Sequence, residues 1–308
     1  MQNSKFKIQN GTEKSNSWLR RPFLSLIIFV WVVAGAQSNL WAGDDAAATK
    51  RILFFTKSQR SEHSVIKREG DTPSFAEKVL GEMAAKNKWE IVTSKDGTIF
   101  TPENLAKFDA LLFYSNGTLT EPGIDGSPPM TEAGKAALIE AVRNGLPLIA
   151  VHTALTTFNR KPGKIDPYLE MLGAEGISHN AQQKARNSCV DPKFPGFEDL
   201  KDGLELFEEW YSIKNFAKDL HVILVQESKG MTGNLYVRQP YPATWARMFG
   251  KGRVFVTSLG HREDVWTNPV FQKILTGGVS WALGRADADI TPNIETVTPF
   301  YSDLPPEK

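Results

Sequence analysis

The sequence predicts an open α/β fold: a parallel β-sheet with helices on both faces. Three observations carry this. Short apolar, β-branched runs recur at Arg51 to Thr56, Trp89 to Thr93, Asp109 to Tyr114 and Pro147 to Val151. Segments with helical spacing lie between them. Glycine, proline, asparagine or an N-capping hydroxyl marks the junctions. Alternation of this kind puts the strands parallel in one sheet and buries both of its faces.

The elements follow in order. A polar loop carrying His63 succeeds the first strand. Pro73 then opens a helix whose Phe75, Val79, Leu80 and Met83 share one face. Thr101 is the expected N-cap of a short helix after the second strand. The third strand gives way to a loop rich in Gly, Pro and Ser from Asn116 to Met130. Thr131 caps a helix ending at Asn144-Gly145, and the fourth strand leads to His152. Beyond it, Asp166 to Leu172 reads as a short helix closed by Gly173. Residues 178–206, with Pro192 and Pro195, read as a loop or small insertion. Val222 to Val225, Ala243 to Phe249 and Gly252 to Thr257 read as further strands, the last leading to His261. Pro269 to Leu283 reads as an amphipathic helix, and residues 286–308 as an extended tail. There is no internal repeat, and residues 51–285 read as a single domain.

Composition narrows the function classes. The 308 residues carry 36 basic and 35 acidic side chains, a formal net charge of +1. That balance gives no reason to expect a nucleic-acid partner. Near the start, Lys5, Lys7, Lys14, Arg20 and Arg21 precede an apolar run from Phe23 to Ala36, the order of an export signal. The expected signal covers residues 1–42, cleaved after Leu40-Trp41-Ala42, with 43–50 as a spacer. An uncleaved membrane anchor is the other reading, and Arg20-Arg21 leaves a twin-arginine route open beside the general one. Either way the domain is expected outside the cytoplasm, periplasmic or extracellular. Cys189 is the single cysteine, so no internal disulfide can form, and it reads as a small buried hydrophobe.

Four of the five histidines fall in loops or at strand ends: His63, His152, His179 and His261. Ligands in open α/β sheets collect outside the carboxyl ends of the strands. His63, His152 and His261 are therefore expected to converge, whereas the irregular segment around His179 gives no such expectation. His221 begins a strand and reads as structural or merely exposed. Glu208-Glu209-Trp210-Tyr211 offers the best carboxylate partner, since imidazoles that shuttle protons or bind metal need one. Trp210, Tyr211 and Trp266 read equally as stacking surfaces for a sugar ring and as ordinary packing. A G-x-S-x-G elbow, a P-loop, an H-E-x-x-H helix and a dinucleotide fingerprint are all missing. With histidine after the fourth strand in place of Cys or Ser, covalent acyl transfer from that position is excluded.

These residues carry a resemblance. Leu148 through Ala154, Leu172-Gly173-Ala174 with His179, Glu208 through Tyr211, Trp245 through His261, and Gly277 through Leu283 together resemble the ThuA-like (trehalose utilisation) family over Arg51 to Arg285. The resemblance implies a flavodoxin-like sheet similar to class I glutamine amidotransferases, with a histidine replacing their nucleophilic cysteine. It implies a link to catabolism of disaccharides and keto-sugars. By position it implies a site of His63, His152, His179, Glu209 and His261. Two departures stand out: Asn144-Gly145-Leu146-Pro147 replaces a Gly-rich approach to the elbow strand, and Glu208-Glu209 replaces an Asp-Glu pair.

The expectation drawn from all this is an exported enzyme acting on a small carbohydrate, with His152 or His261 moving protons and Glu209 orienting the ring. A divalent metal such as zinc, held by His63, His152, His179, Glu209 and His261, is one reading of the same residues; a metal-free proton shuttle is the other. The competing expectation is a carbohydrate-binding module of the same fold that does no chemistry.

Overall fold

A computed structural model describes residues 48–159 and 163–306. The expected export segment lies outside the described residues. Among them, no helix is long and apolar enough to cross a membrane.

The first half of the sheet is the predicted parallel one. Strands β1 (Lys50–Phe55), β2 (Trp89–Ser94), β3 (Ala110–Phe113) and β4 (Leu148–Val151) all run the same way, in the order β2-β1-β3-β4. Their side chains alternate between two cores. Ile52 and Phe54 of β1 face one apolar cluster, while Leu53 and Phe55 face the other. Helices α1 (Phe75–Asn87), α2 (Pro102–Leu105), α3 (Glu132–Arg143) and α4 (Pro167–Leu172) supply the covering layers. Helix α1 begins after a capping box: the Ser74 hydroxyl accepts from the Glu77 amide and Glu77 accepts from the Ser74 amide. Gly173 closes α4 at φ +86°, where a side chain would be strained and would meet Leu220 and Arg247.

The second half is antiparallel. Strands β5 (Glu175–His179), β6 (Gln183–Cys189), β7 (Leu204–Glu208) and β8 (Tyr211–Lys214) precede β9 (His221–Gln226), β10 (Tyr241–Phe249) and β11 (Gly252–Thr257). The nine-stranded sheet continues from β4 as β11-β10-β9-β6-β7, and β5 pairs with β8 in a separate ribbon. Strand β11 is parallel to β4, and each later neighbour reverses direction. Four reversals bring β7 back to the direction of β4, so β1, β4, β11 and β7 all end at one edge.

Two expectations are corrected here. The segment 178–206 is not a loop or insertion, because it holds the end of β5 together with β6 and β7. Its strand signal is masked by polar side chains at inward positions, Asn187 on β6 and Glu208 on β7, both fully buried. The tail is not extended throughout. After α5 (Glu263–Trp266) and α6 (Pro269–Ala282), the short helix α7 (Ile294–Val297) buries Ile294. His221 ties that tail down: its Nδ1 lies 2.8 Å from the Thr291 carbonyl and its Nε2 2.9 Å from Asp191.

Candidate functional site: an imidazole–carboxylate centre

Each functional side chain leaves the sheet at the same edge. His63 caps a one-turn 3-10 helix (Ser64–Ile66) in the loop after β1. His152 is the first residue beyond β4, at φ +50°. A left-handed backbone costs a non-glycine residue about 1–2 kcal/mol, so the surroundings must hold it. They do so through register: Thr257 lies opposite Val151. The next residues, His152 and Ser258, therefore sit side by side, and His152 Nδ1–H donates to the Ser258 carbonyl at 2.8 Å. Donation from Nδ1 leaves Nε2 as a bare lone pair aimed inward. His261 follows β11, and Glu209 follows β7.

Four ring or carboxylate atoms meet at one point. Ligand atoms of His63, His152, Glu209 and His261 all lie within 4.8 Å of one another. Glu209 Oε2 is the common vertex, 3.2 Å from His261 Nδ1, 3.3 Å from His152 Nε2 and 3.7 Å from His63 Nε2. His261 Nδ1 and His152 Nε2 are 3.3 Å apart. Arms of about 2.0–2.1 Å, as zinc makes to nitrogen or oxygen, give tetrahedral edges of about 3.3–3.4 Å. The separations among Glu209 Oε2, His261 Nδ1 and His152 Nε2 are of that size, while His63 Nε2 stands farther off, 3.7 Å from the carboxylate. Glu209 Oε2 and His63 Nδ1 are buried without a hydrogen-bond partner, an arrangement that a shared cation would relieve at the carboxylate. This His/Glu group could hold a metal.

Electrostatics follow from burial. Burial pushes the fully enclosed His152 down to about 4, against the pull of Glu209, so its ring is neutral near pH 7. Burial alone would raise Glu209, but the facing imidazoles of His152, His261 and His63 hold its carboxyl well below the usual range. Burial pushes the neighbouring Glu208 up to about 7, opposed by backbone N–H groups. Glu208 accepts from the amides of Glu209 and Gly260 and so clasps the Glu209 and His261 segments together.

Access is from two sides. A cavity of about 160 Å³ is lined by Arg60, His63, Asn116, Asn159, His179 and Tyr211, among others. A second, of about 350 Å³, touches Gln182, His261 and Arg262. His152 itself has no exposed surface. The expectation that its ring moves a proton on the substrate directly is therefore revised: it backs the centre from behind. His179 joins the rim rather than the four-atom group, with Nδ1 3.2 Å from the other carboxylate oxygen, Glu209 Oε1. Its side chain is 38% exposed, so it is reachable.

Of the three aromatic residues that read equally as sugar-stacking surfaces and as packing, Tyr211 lines a cavity. Trp210 and Trp266 are sealed, donating Nε1–H to the carbonyls of Gln183 and Gly260; their role is packing. Arg60, Asn116 and Asn159 went unnoticed in the sequence. Asn116 lies just beyond β3, so the strand-end rule that picked out His63 could have found it. Cys189 stays aside, and burial pushes its thiol up to about 11.

The fold and site together define a mixed α/β sheet protein with an imidazole–carboxylate centre at the carboxyl edge of its strands. The chain belongs to the trehalose-utilisation (ThuA) family, whose profile matches residues 51–282. That membership fits a carbohydrate-related role. Among solved structures, a ThuA-like protein from Bacteroides uniformis is 16% identical, with a TM-score of 0.58 over 76% of this chain and 91% of its own. One from Parabacteroides merdae is 15% identical, with a TM-score of 0.57 over 78% and 92%. Likeness at these identities concerns the fold. No curated protein matches the chain.

Proposed function

We propose that this protein is an exported enzyme of keto-sugar or disaccharide breakdown that works through the His/Glu centre, with a divalent metal such as zinc held by His63, His152, Glu209 and His261. The observation that carries this reading is the convergence of four donor atoms on a buried carboxylate oxygen that has no hydrogen-bond partner. A metal at this place would polarise a carbonyl or hydroxyl oxygen of the sugar.

The chain's own residues supply the rest. The cavity beside His63 takes one sugar ring, with Arg60, Asn116 and Asn159 meeting hydroxyl groups and Tyr211 offering its ring. His179 reaches into that cavity and takes the proton from the carbon next to the carbonyl. Glu209 Oε1 orients the imidazole and stabilises the imidazolium that forms. Placed proton transfer of this kind is worth about 10²–10⁴-fold. His152, locked by Ser258, keeps the centre in shape.

Turnover of 3-keto-disaccharides by purified protein, with and without zinc, is the test. Consumption that needs the metal and is lost in His179→Ala and His152→Ala is expected. Activity unchanged in His152→Ala would reject the assignment, and a sugar bound at saturation but never consumed would favour a binding module.

A further inference from the structure

His152 and His261 belong to a longer hydrogen-bonded row. Arg262 Nη1 lies 2.8 Å from Gln182 Oε1, and Gln182 Nε2 lies 2.8 Å from His261 Nε2. His261 Nδ1 lies 3.3 Å from His152 Nε2, and His152 Nδ1 lies 2.8 Å from the Ser258 carbonyl. The ends of this row have fixed chemistry. A guanidinium only donates and a backbone carbonyl only accepts.

Between such ends every link has one direction. Arg262 donates to the Gln182 oxygen, so the amide nitrogen of Gln182 must face His261 and donate. His261 Nε2 must then accept, and the single proton of the neutral ring sits on Nδ1. From there it points at His152 Nε2, beside Glu209 Oε2 at the heart of the centre. Arg262 is itself braced by Asp264, which accepts from its Nε and Nη2 at 2.8 and 3.1 Å. Neither Gln182 nor Arg262 is within the four-atom group.

We propose that Gln182, oriented by Arg262, is a positioning residue that sets the tautomer of His261 and thereby holds the resting centre in a proton-bridged form, against metal coordination at His261 Nδ1. A ring that coordinates through Nδ1 carries its proton on Nε2, so the proton moves within the ring and its count is unchanged. Gln182 must then turn its oxygen towards His261 and give up its bond from Arg262. The usual partner of a metal-bound histidine is a carboxylate or carbonyl that accepts from the far nitrogen. Gln182 in this orientation is the opposite. This inference rests on the same centre as the proposed function and adds a control over its resting state.

The test needs no substrate. Two-bond ¹H–¹⁵N spectra of the metal-free protein report which ring nitrogen of each histidine bears the proton. In the unsubstituted chain, His261 Nδ1 and His152 Nδ1 are expected to be protonated and both Nε2 atoms bare. Gln182→Glu keeps the acceptor for Arg262 and presents a second acceptor to His261. Its His261 Nε2 is expected to become an N–H, and zinc, measured by chelator competition, to bind about 10–100-fold tighter. A protonated Nε2 on His261 in the unsubstituted protein would overturn the proposal, as would an Nε2 that stays bare in Gln182→Glu. Failure to turn over keto-sugars would leave these spectra unaffected, so the two readings fall separately.

Discussion

Glu209→Gln removes one charge and almost no volume from the centre, which makes it the sharpest test of what the carboxylate does. Three imidazole nitrogens stand 3.2, 3.3 and 3.7 Å from the oxygen concerned. With zinc bound, replacing the carboxylate leaves the cation without its buried anionic partner, a loss of about 3–5 kcal/mol. At 1.36 kcal/mol per tenfold, that is a loss of about 10²–10⁴-fold in zinc affinity. Glu209 also holds the His152 ring up against burial, so the amide should leave His152 still less basic and equally neutral at pH 7. Titration calorimetry with zinc gives the affinity, keto-disaccharide turnover the activity, and circular dichroism checks the fold. Glu209→Asp keeps the charge but retracts it by about 1.5 Å, one carbon–carbon bond. It should fall between the two, since misplacement of about 1 Å can cost about 10²-fold in turnover. Zinc affinity and turnover of Glu209→Gln both within threefold of the unsubstituted protein would refute the reasoning.

Other expectations are independent of this one. His152 is depressed from 6.5 to about 4, so the stability it lends is complete above 6.5 and is lost as pH falls through about 4; the difference is worth about 3 kcal/mol. In urea unfolding with chelator, loss between pH 7 and pH 4 should therefore exceed that of His152→Asn by about this amount, asparagine being tolerant of the left-handed backbone. Gly277→Ala would drive a Cβ to 1.8 Å from the Pro195 carbonyl oxygen, costing at least about 1–3 kcal/mol. Gly81→Ala, at an exposed position of α1 with nothing within 4 Å, should instead stabilise by about 0.5–1 kcal/mol. Thermal melts read both. With its thiol raised from 9.0 to about 11, Cys189 should react with iodoacetamide at pH 8 roughly 100-fold more slowly than a free thiol, and an equal rate would contradict the shift.

Legibility of the sequence followed how far side chains obeyed the period of their element. Strands β3 and β4, and β1 from Ile52 onward, are unbroken apolar runs because both sheet faces are covered, and they read directly. Strand β6, Gln183–Cys189, carries Asn187 inward and charged residues outward, which no apolar alternation reveals. The centre was partly legible because its histidines sit at strand exits. His63, His152 and His261 could be placed by that rule alone. Tyr211 and Trp210 show its limit: adjacency to Glu209 in sequence does not say which ring faces a cavity, and Tyr211, at the start of β8, lines one while Trp210 is sealed in the core. Gln182 was illegible because its role depends on the direction of a hydrogen bond.

The donors of the centre are drawn from positions 63, 152, 209 and 261, nearly the whole length of the family domain. Only a chain that extends through position 261 carries all four donors. A cation lodged there would act as a staple on the finished protein alone, raising its resistance to unfolding in step with the free cation concentration. Late in synthesis, when β11 takes its place next to β4, the last donor would arrive, and chains ending before His261 would lack it.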